Sequence, residues 1–278
     1  MQKNKNVDPA IIDFPNLLIK NDDSSSMYPI LYVSTGSNVY GLSNKYNDEY
    51  AGIHLTSTLN YLQHPDFRDG TDISRLSYSS KHKLVPEDDP NKSFSITSFE
   101  MSKFISLYAR STIVIYDILY LSPVFTNPEM IEILNKFKEG ITNKIGISAK
   151  TYAMNNWQKD RTDQRKIIMS YYRLLQAIVF LREEEYVSDA FALWEEFPRF
   201  HKFVHGKGVF QKFKDSNFEK MKLSEKEITG TAKELEELID EINKASISTR
   251  LPDVTPKLTI SSILNLIVKK RLNSIYKE

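Results

Sequence analysis

The chain of 278 residues carries 37 Lys and Arg against 36 Asp and Glu, a net charge of +1, and no cysteine. So balanced a charge gives no global field to steer it to nucleic acid or membrane. The missing thiols exclude disulfides, thiolate zinc sites and cysteine nucleophiles. A hydrophobic content of 41% and an aromatic content of 12% suffice for a real core, in one large domain or two smaller ones. The N-terminus, MQKNKNVDPAIIDF, lacks the apolar centre of a signal peptide. The longest apolar run, Ile113 to Leu121, is interrupted by Asp117 and falls well short of the ~20 residues that span a bilayer. A soluble cytoplasmic protein with no membrane partner is expected.

Residues 1–27 are polar, end near Asp22-Asp23-Ser24-Ser25-Ser26, and carry one apolar patch from Ile11 to Leu18. They are expected to form an arm. Tyr28 to Val33 alternates as a strand, Ser34-Thr35-Gly36-Ser37 is a turn, Val39, Tyr40 and Leu42 follow at helical spacing, and Tyr50 to Leu55 makes the next strand. Thr56 to Pro90 holds Pro65, Gly70, Pro86 and Pro90, so little regular structure is expected there. Ser93 to Ile96 reads as a third strand, and Thr97 with Glu100 as a capping box. The helix so begun carries Met101, Phe104, Ile105 and Tyr108 on one face. Asn127-Pro128 opens a helix with Ile131, Leu134 and Phe137 inward. Ile147 to Trp157 follows as a further helix. Ile167, Tyr171, Leu174, Leu175, Ile178 and Leu181 mark a long amphipathic helix, and two more run through Ala232 to Ile242 and Ile260 to Ile267. Strands early and helices late predict an α+β fold: a small mixed sheet, then a helical part. The divisions expected are 1–27, 28–125 and 126–278.

The chemistry concentrates between Tyr28 and His54. A glycine leaving a strand lets backbone approach a ligand, and the N–H groups that follow can meet phosphate. Carboxylates two residues apart on a strand share a side, and such a pair can hold Mg²⁺ against a triphosphate. Gly36-Ser37-Asn38-Val39-Tyr40-Gly41-Leu42, then Asn47-Asp48-Glu49-Tyr50-Ala51-Gly52-Ile53, resembles a bacterial and phage branch of the DNA polymerase β-like nucleotidyltransferases. That branch reads roughly GSRAYGL, a spacer, then SDxDYRGV. Phe99 to Ile105 resembles its first long helix, Ser170 to Ala177 its hLlRLLLQ segment, and Ser248 to Pro252 its S-x-LP element.

The resemblance implies metal-dependent transfer of a nucleoside monophosphate from an NTP to an acceptor. Mg²⁺ or Mn²⁺ is the implied cofactor, and an RNA end the implied acceptor, because the branch is associated with RNA repair. Gly36, Ser37 and Asn38 would cradle the triphosphate, and Lys45 or Arg173 would support it. Glu49 and Asp48 would be the catalytic acids, with Asn47 a third metal-facing position. The chain departs from the pattern in its acids. Anchored on Gly52-Ile53, the two family aspartates fall on Asn47 and Glu49. Anchored on Gly36-Ser37, they fall on Asp48 and Tyr50. The third falls on Ser95, with Asp88, Asp89 and Glu100 as nearby alternatives. A catalytically inactive homologue that binds a nucleotide, RNA or a host protein is therefore the rival expectation.

Two other stretches carry less. His201 and His205 have metal-ligand spacing without a third ligand. Arg199 to Lys222 interleaves basic residues with five phenylalanines, a pattern that suits either a core helix face or a nucleic-acid edge. No P-loop, dinucleotide or G-x-S-x-G fingerprint is present.

Overall fold

The dense β-formers of Met27–Thr35 make strand β1, which pairs antiparallel with β2, Asn47–Thr56. The computed structural model describes residues 27–36, 39, 47–56, 75–79, 93–189, 192–193 and 223–275. Strands β3 (Arg75–Ser79), β4 (Ser93–Glu100) and β5 (Pro123–Thr126) complete a five-stranded sheet of order β3-β4-β2-β1-β5. The β2–β4 pair is parallel and the other three are antiparallel, so the sheet is mixed.

Two of these strands escape the sequence pattern. Strand β3 lies inside the Pro- and Gly-punctuated stretch expected to be irregular. Its five residues are held by hydrogen bonds to β4 rather than by a pattern of their own. Strand β5 falls among the helices; four residues opening with Pro123 suit a sheet edge, where a missing N–H costs no ladder bond.

The helices are α1 (Met101–Ala109), α2 (Ile113–Tyr120), α3 (Ile131–Glu139), α4 (Ile145–Lys159), α5 (Gln164–Glu183), α6 (Glu225–Ser248) and α7 (Lys257–Ile275). Strand alternation turns Leu31, Val33, Ala51, Ile53 and Leu55 to one side, and α1 and α2 pack there. One apolar cluster runs from these strand residues through Phe104, Ile118 and Phe137 to Leu174, Leu238 and Ile263. Within it, Phe137 meets Phe104 and Tyr108 edge-on at 5.0 and 4.9 Å, and the Tyr108 hydroxyl donates to the Phe137 carbonyl at 2.8 Å. Such aromatic pairs add about 0.5–1.5 kcal/mol each beyond area burial.

Local starts differ from expectation in instructive ways. Thr97 stays in β4, paired with Ala51, so no Thr97 capping box forms. Glu100 itself caps α1, its carboxylate accepting from the Ser102 backbone N–H at 2.6 Å. Asn127 does cap, its Oδ1 accepting from the Glu129 N–H at 3.0 Å. The first turn is a 3-10 turn over Pro128–Met130, however, and this rotates the next helix. Ile133, Leu134 and Phe137 are buried as a result, while Ile131, expected inward, is 47% exposed. Helix α6 begins with a full capping box between Ser224 and Glu227.

Candidate functional site

Strand β1 ends at Thr35, which pairs with Glu49 near the start of β2. The next residue, Gly36, has φ +68°, and its carbonyl accepts from the Val39 N–H at 3.2 Å. That left-handed turn favours glycine, and packing excludes anything larger. A Cβ on Gly36 would overlap the Glu49 carboxylate and would lie 2.5 Å from its carboxyl carbon and 2.9 Å from its Cβ. The Gly-Ser turn and one acid of the motif, 13 positions apart, are therefore in contact. Glu49 is half-buried, and desolvation pushes its carboxyl above the ordinary value of 4.5. A nearby cation would reverse that direction by favouring the charged form.

The ladder decides how the remaining motif positions relate. Positions 47 and 49 share one side of β2, and position 48 alternates with them. Asn47 pairs with Ser93 and Glu49 with Ser95 on parallel β4. The residue matched to the family's third acid thus stands directly beside Glu49, and it is a serine. Glu100, one of the alternatives, pairs with His54, five rungs or roughly 17 Å along the ladder from Glu49. It is also engaged as the cap of α1. Ser37, Asn38, Lys45, Asp88 and Asp89 lie outside the described residues, as do His201, His205 and the basic aromatic stretch. Among the described residues no three His, Cys, Asp or Glu gather as a metal would need.

Arg173 sits on α5 at 4% exposure, ion-paired with Asp117 of α2. Its guanidinium lies over the Tyr152 and Tyr172 rings at 5.6 and 5.8 Å. Asp117 also accepts from the Tyr186 hydroxyl at 2.5 Å. The interruption in the apolar run of α2 is therefore the anchor between two helices and the segment after α5. The family-like Arg173 acts on this anchor from within the core.

A second polar group lies on the other side of the sheet, and sequence reading missed it. The His54 Nδ1 is 2.9 Å from the Ser98 hydroxyl, which is 2.6 Å from the Tyr32 hydroxyl, and all three residues are fully buried. Gly52 pairs with Tyr32 and leaves room for its ring, where a Cβ would collide. Burial drives the His54 pKa down to about 3, so the ring is neutral. The available signal was the period-2 series Tyr50, Gly52, His54.

The fold class is settled by these elements: α+β, with a mixed sheet and a helical C-terminal half. No family model and no curated protein matches the chain. Solved structures do match. One is described as a nucleotidyltransferase-like protein from Exiguobacterium sibiricum 255-15, 8% identical over 84% of this chain and 76% of that one, with a TM-score of 0.28. Any functional reading rests on the residues themselves.

Proposed function

We propose that the chain is a nucleotidyltransferase-like protein. It transfers a nucleoside monophosphate from an NTP to an acceptor, an RNA end, with Mg²⁺ or Mn²⁺. The observation that carries this reading is the Glu49 carboxylate lying against the positive-φ Gly36 where β1 enters its turn. In this reading residues 28–125 hold the nucleotide and 126–278 form the helical partner domain. Backbone groups of Gly36, Ser37 and Asn38 receive the triphosphate, and Lys45 adds charge beside it. Glu49, with Asn47 on the same side of β2, would accept the divalent ion that arrives with the nucleotide, whereas Asp48, expected to share it, alternates to the other side. One protein carboxylate plus substrate phosphates is a usual Mg²⁺ donor set. When bound there, such an ion would neutralise charge on the transferring phosphoryl group. The turn orients the α-phosphate for in-line attack by the acceptor hydroxyl, with pyrophosphate leaving. Arg173 supports the site indirectly through Asp117 and Tyr186.

The test is transfer of label from each α-labelled NTP to an RNA acceptor, with Mn²⁺ or Mg²⁺. Transfer is expected in the native protein and absent in Glu49→Ala. Transfer that survives combined Glu49→Ala and Asp48→Ala would remove these residues from the site.

One observation favours a second reading. Serine at position 95, beside Glu49, withholds the second charge that would offset repulsion between two metals. A catalytically silent homologue that binds a nucleotide, RNA or a host protein predicts metal-independent thermal stabilisation by nucleotide and no label transfer.

A further inference from the structure

The Gly36 turn borders an open cleft of about 240 Å³, lined among the described residues by Ser34, Val39, Leu121, Ser122, Ser188 and Asp189. Ser34 is the penultimate residue of β1, and Val39 is tied to the turn by its hydrogen bond to Gly36. Leu121 and Ser122 link α2 to β5, while Ser188 and Asp189 follow α5. The cleft therefore joins the strand end to the helical half of the chain.

Its chemistry suits one part of a nucleotide. The Asp189 carboxylate repels phosphate, so the triphosphate belongs at the turn and an uncharged group belongs in the cleft. A carboxylate accepts two hydrogen bonds, and serine hydroxyls both donate and accept; vicinal hydroxyls match that set. Val39 and Leu121 supply an apolar wall. The volume is below the roughly 300–1,000 Å³ of a pocket for a drug-sized ligand, which suits a sugar rather than a whole nucleotide.

The segment bearing Ser188 and Asp189 is also fixed in place. The Tyr186 hydroxyl bonds Asp117 at 2.5 Å, and Tyr186 stacks on Tyr120 at 5.4 Å. With its amide turned so that oxygen meets donor and nitrogen meets acceptor, Gln176 donates to the Val187 carbonyl at 3.3 Å and accepts from the Val187 N–H at 3.0 Å. Glu184, at φ +58°, turns the chain out of α5 toward these contacts. Such support from behind holds recognition groups at a defined place.

We propose that this cleft receives the ribose of the nucleotide, with Asp189 and Ser188 reading its vicinal hydroxyls so that ribonucleotides are chosen over deoxyribonucleotides. The proposal rests on the nucleotidyltransferase reading above. The experiment measures Mn²⁺-dependent binding of the four NTPs, their 2′-deoxy counterparts and inorganic tripolyphosphate to the full chain by thermal-shift titration. At least one NTP is expected to bind about tenfold or more tightly than its 2′-deoxy form. The ratio should fall close to one in Asp189→Asn and drop partway in Ser188→Ala. Both positions are exposed, so folding should tolerate the changes. Equal affinity for NTP and dNTP, with tripolyphosphate still binding, would overturn the ribose assignment and leave the triphosphate site standing. A ribose preference unchanged in both variants would overturn the role of these two residues. Failure of NTPs and tripolyphosphate alike to bind would defeat the assignment together with the functional reading beneath it.

Discussion

Replacing Gly36 by alanine tests the contact on which the site depends. Two terms contribute, and the structure separates them. Gly36 has φ +68°, and holding an L-residue there costs about 1–2 kcal/mol. The added methyl also meets Glu49 at its carboxylate, at its carboxyl carbon (2.5 Å) and at its Cβ (2.9 Å), so a rotamer change at the carboxylate end alone cannot clear it. Overpacking of this kind costs about 1–3 kcal/mol. The single variant should therefore lose about 2–5 kcal/mol in urea denaturation, or several degrees of Tm. In a Glu49→Ala background the overlap with the carboxylate is gone and only the 2.9 Å approach to the Cβ stays, so the penalty should fall toward the backbone cost of about 1–2 kcal/mol. The two changes should be non-additive, as expected for touching residues. Metal-dependent stabilisation by NTP should disappear in Gly36→Ala because the carboxylate is displaced. If the Gly36→Ala penalty is the same with and without Glu49, the carboxylate does not lie on the glycine and the site loses its foundation.

Two further predictions concern groups that hold the site's surroundings. Asp117→Ala should cost about 3–5 kcal/mol because it leaves Arg173 buried without its counterion, whereas Asp117→Leu with Arg173→Met should recover much of that loss; urea midpoints decide. His54 is held neutral by a pKa of about 3, below the ordinary 6.5. Below pH 6.5 the unfolded chain binds the extra proton first, so this group's contribution is present above 6.5 and lost as pH falls. The slope is about 1.4 kcal/mol per pH unit, or about 2 kcal/mol between pH 6.5 and pH 5. His54→Asn should flatten that part of the stability profile; parallel losses in both proteins would refute the assignment.

How much of this could be read from residues alone depends on which forces set each element. Strands β1 and β2 and helices α1, α5, α6 and α7 follow apolar periodicity, and they form where the pattern places them. Strands β3 and β5 exist because a neighbour offers hydrogen bonds, which no local pattern encodes. The outward turn of Ile131 comes from one tight turn upstream, a rotation too small to see in composition. At the site, glycine at 36, the acid at 49 and the serine at 95 were all legible as positions. Their adjacency was not, because it depends on pairing register between strand positions 46 residues apart in number. Ser188 and Asp189 had no motif to mark them, since the hold of Asp117 on Tyr186 and of Gln176 on Val187 puts them at the cleft.

The parallel pairing of β2 with β4 also constrains how the chain can be made. Strand β1 finds β2 across a short connection, so that hairpin can assemble as soon as Thr56 has left the ribosome. Its β2 edge then lacks a neighbour until Ser93–Glu100 is synthesised, and its β1 edge lacks one until Pro123–Thr126 follows. An unpaired strand edge is a template for other chains. At synthesis rates of about 5–20 residues per second, these two edges wait for several seconds. Fragments that stop before residue 93 would keep them open for good. The middle of the sheet, where Glu49 lies, is thus the earliest part to form and stays open to the wrong partner until β4 arrives.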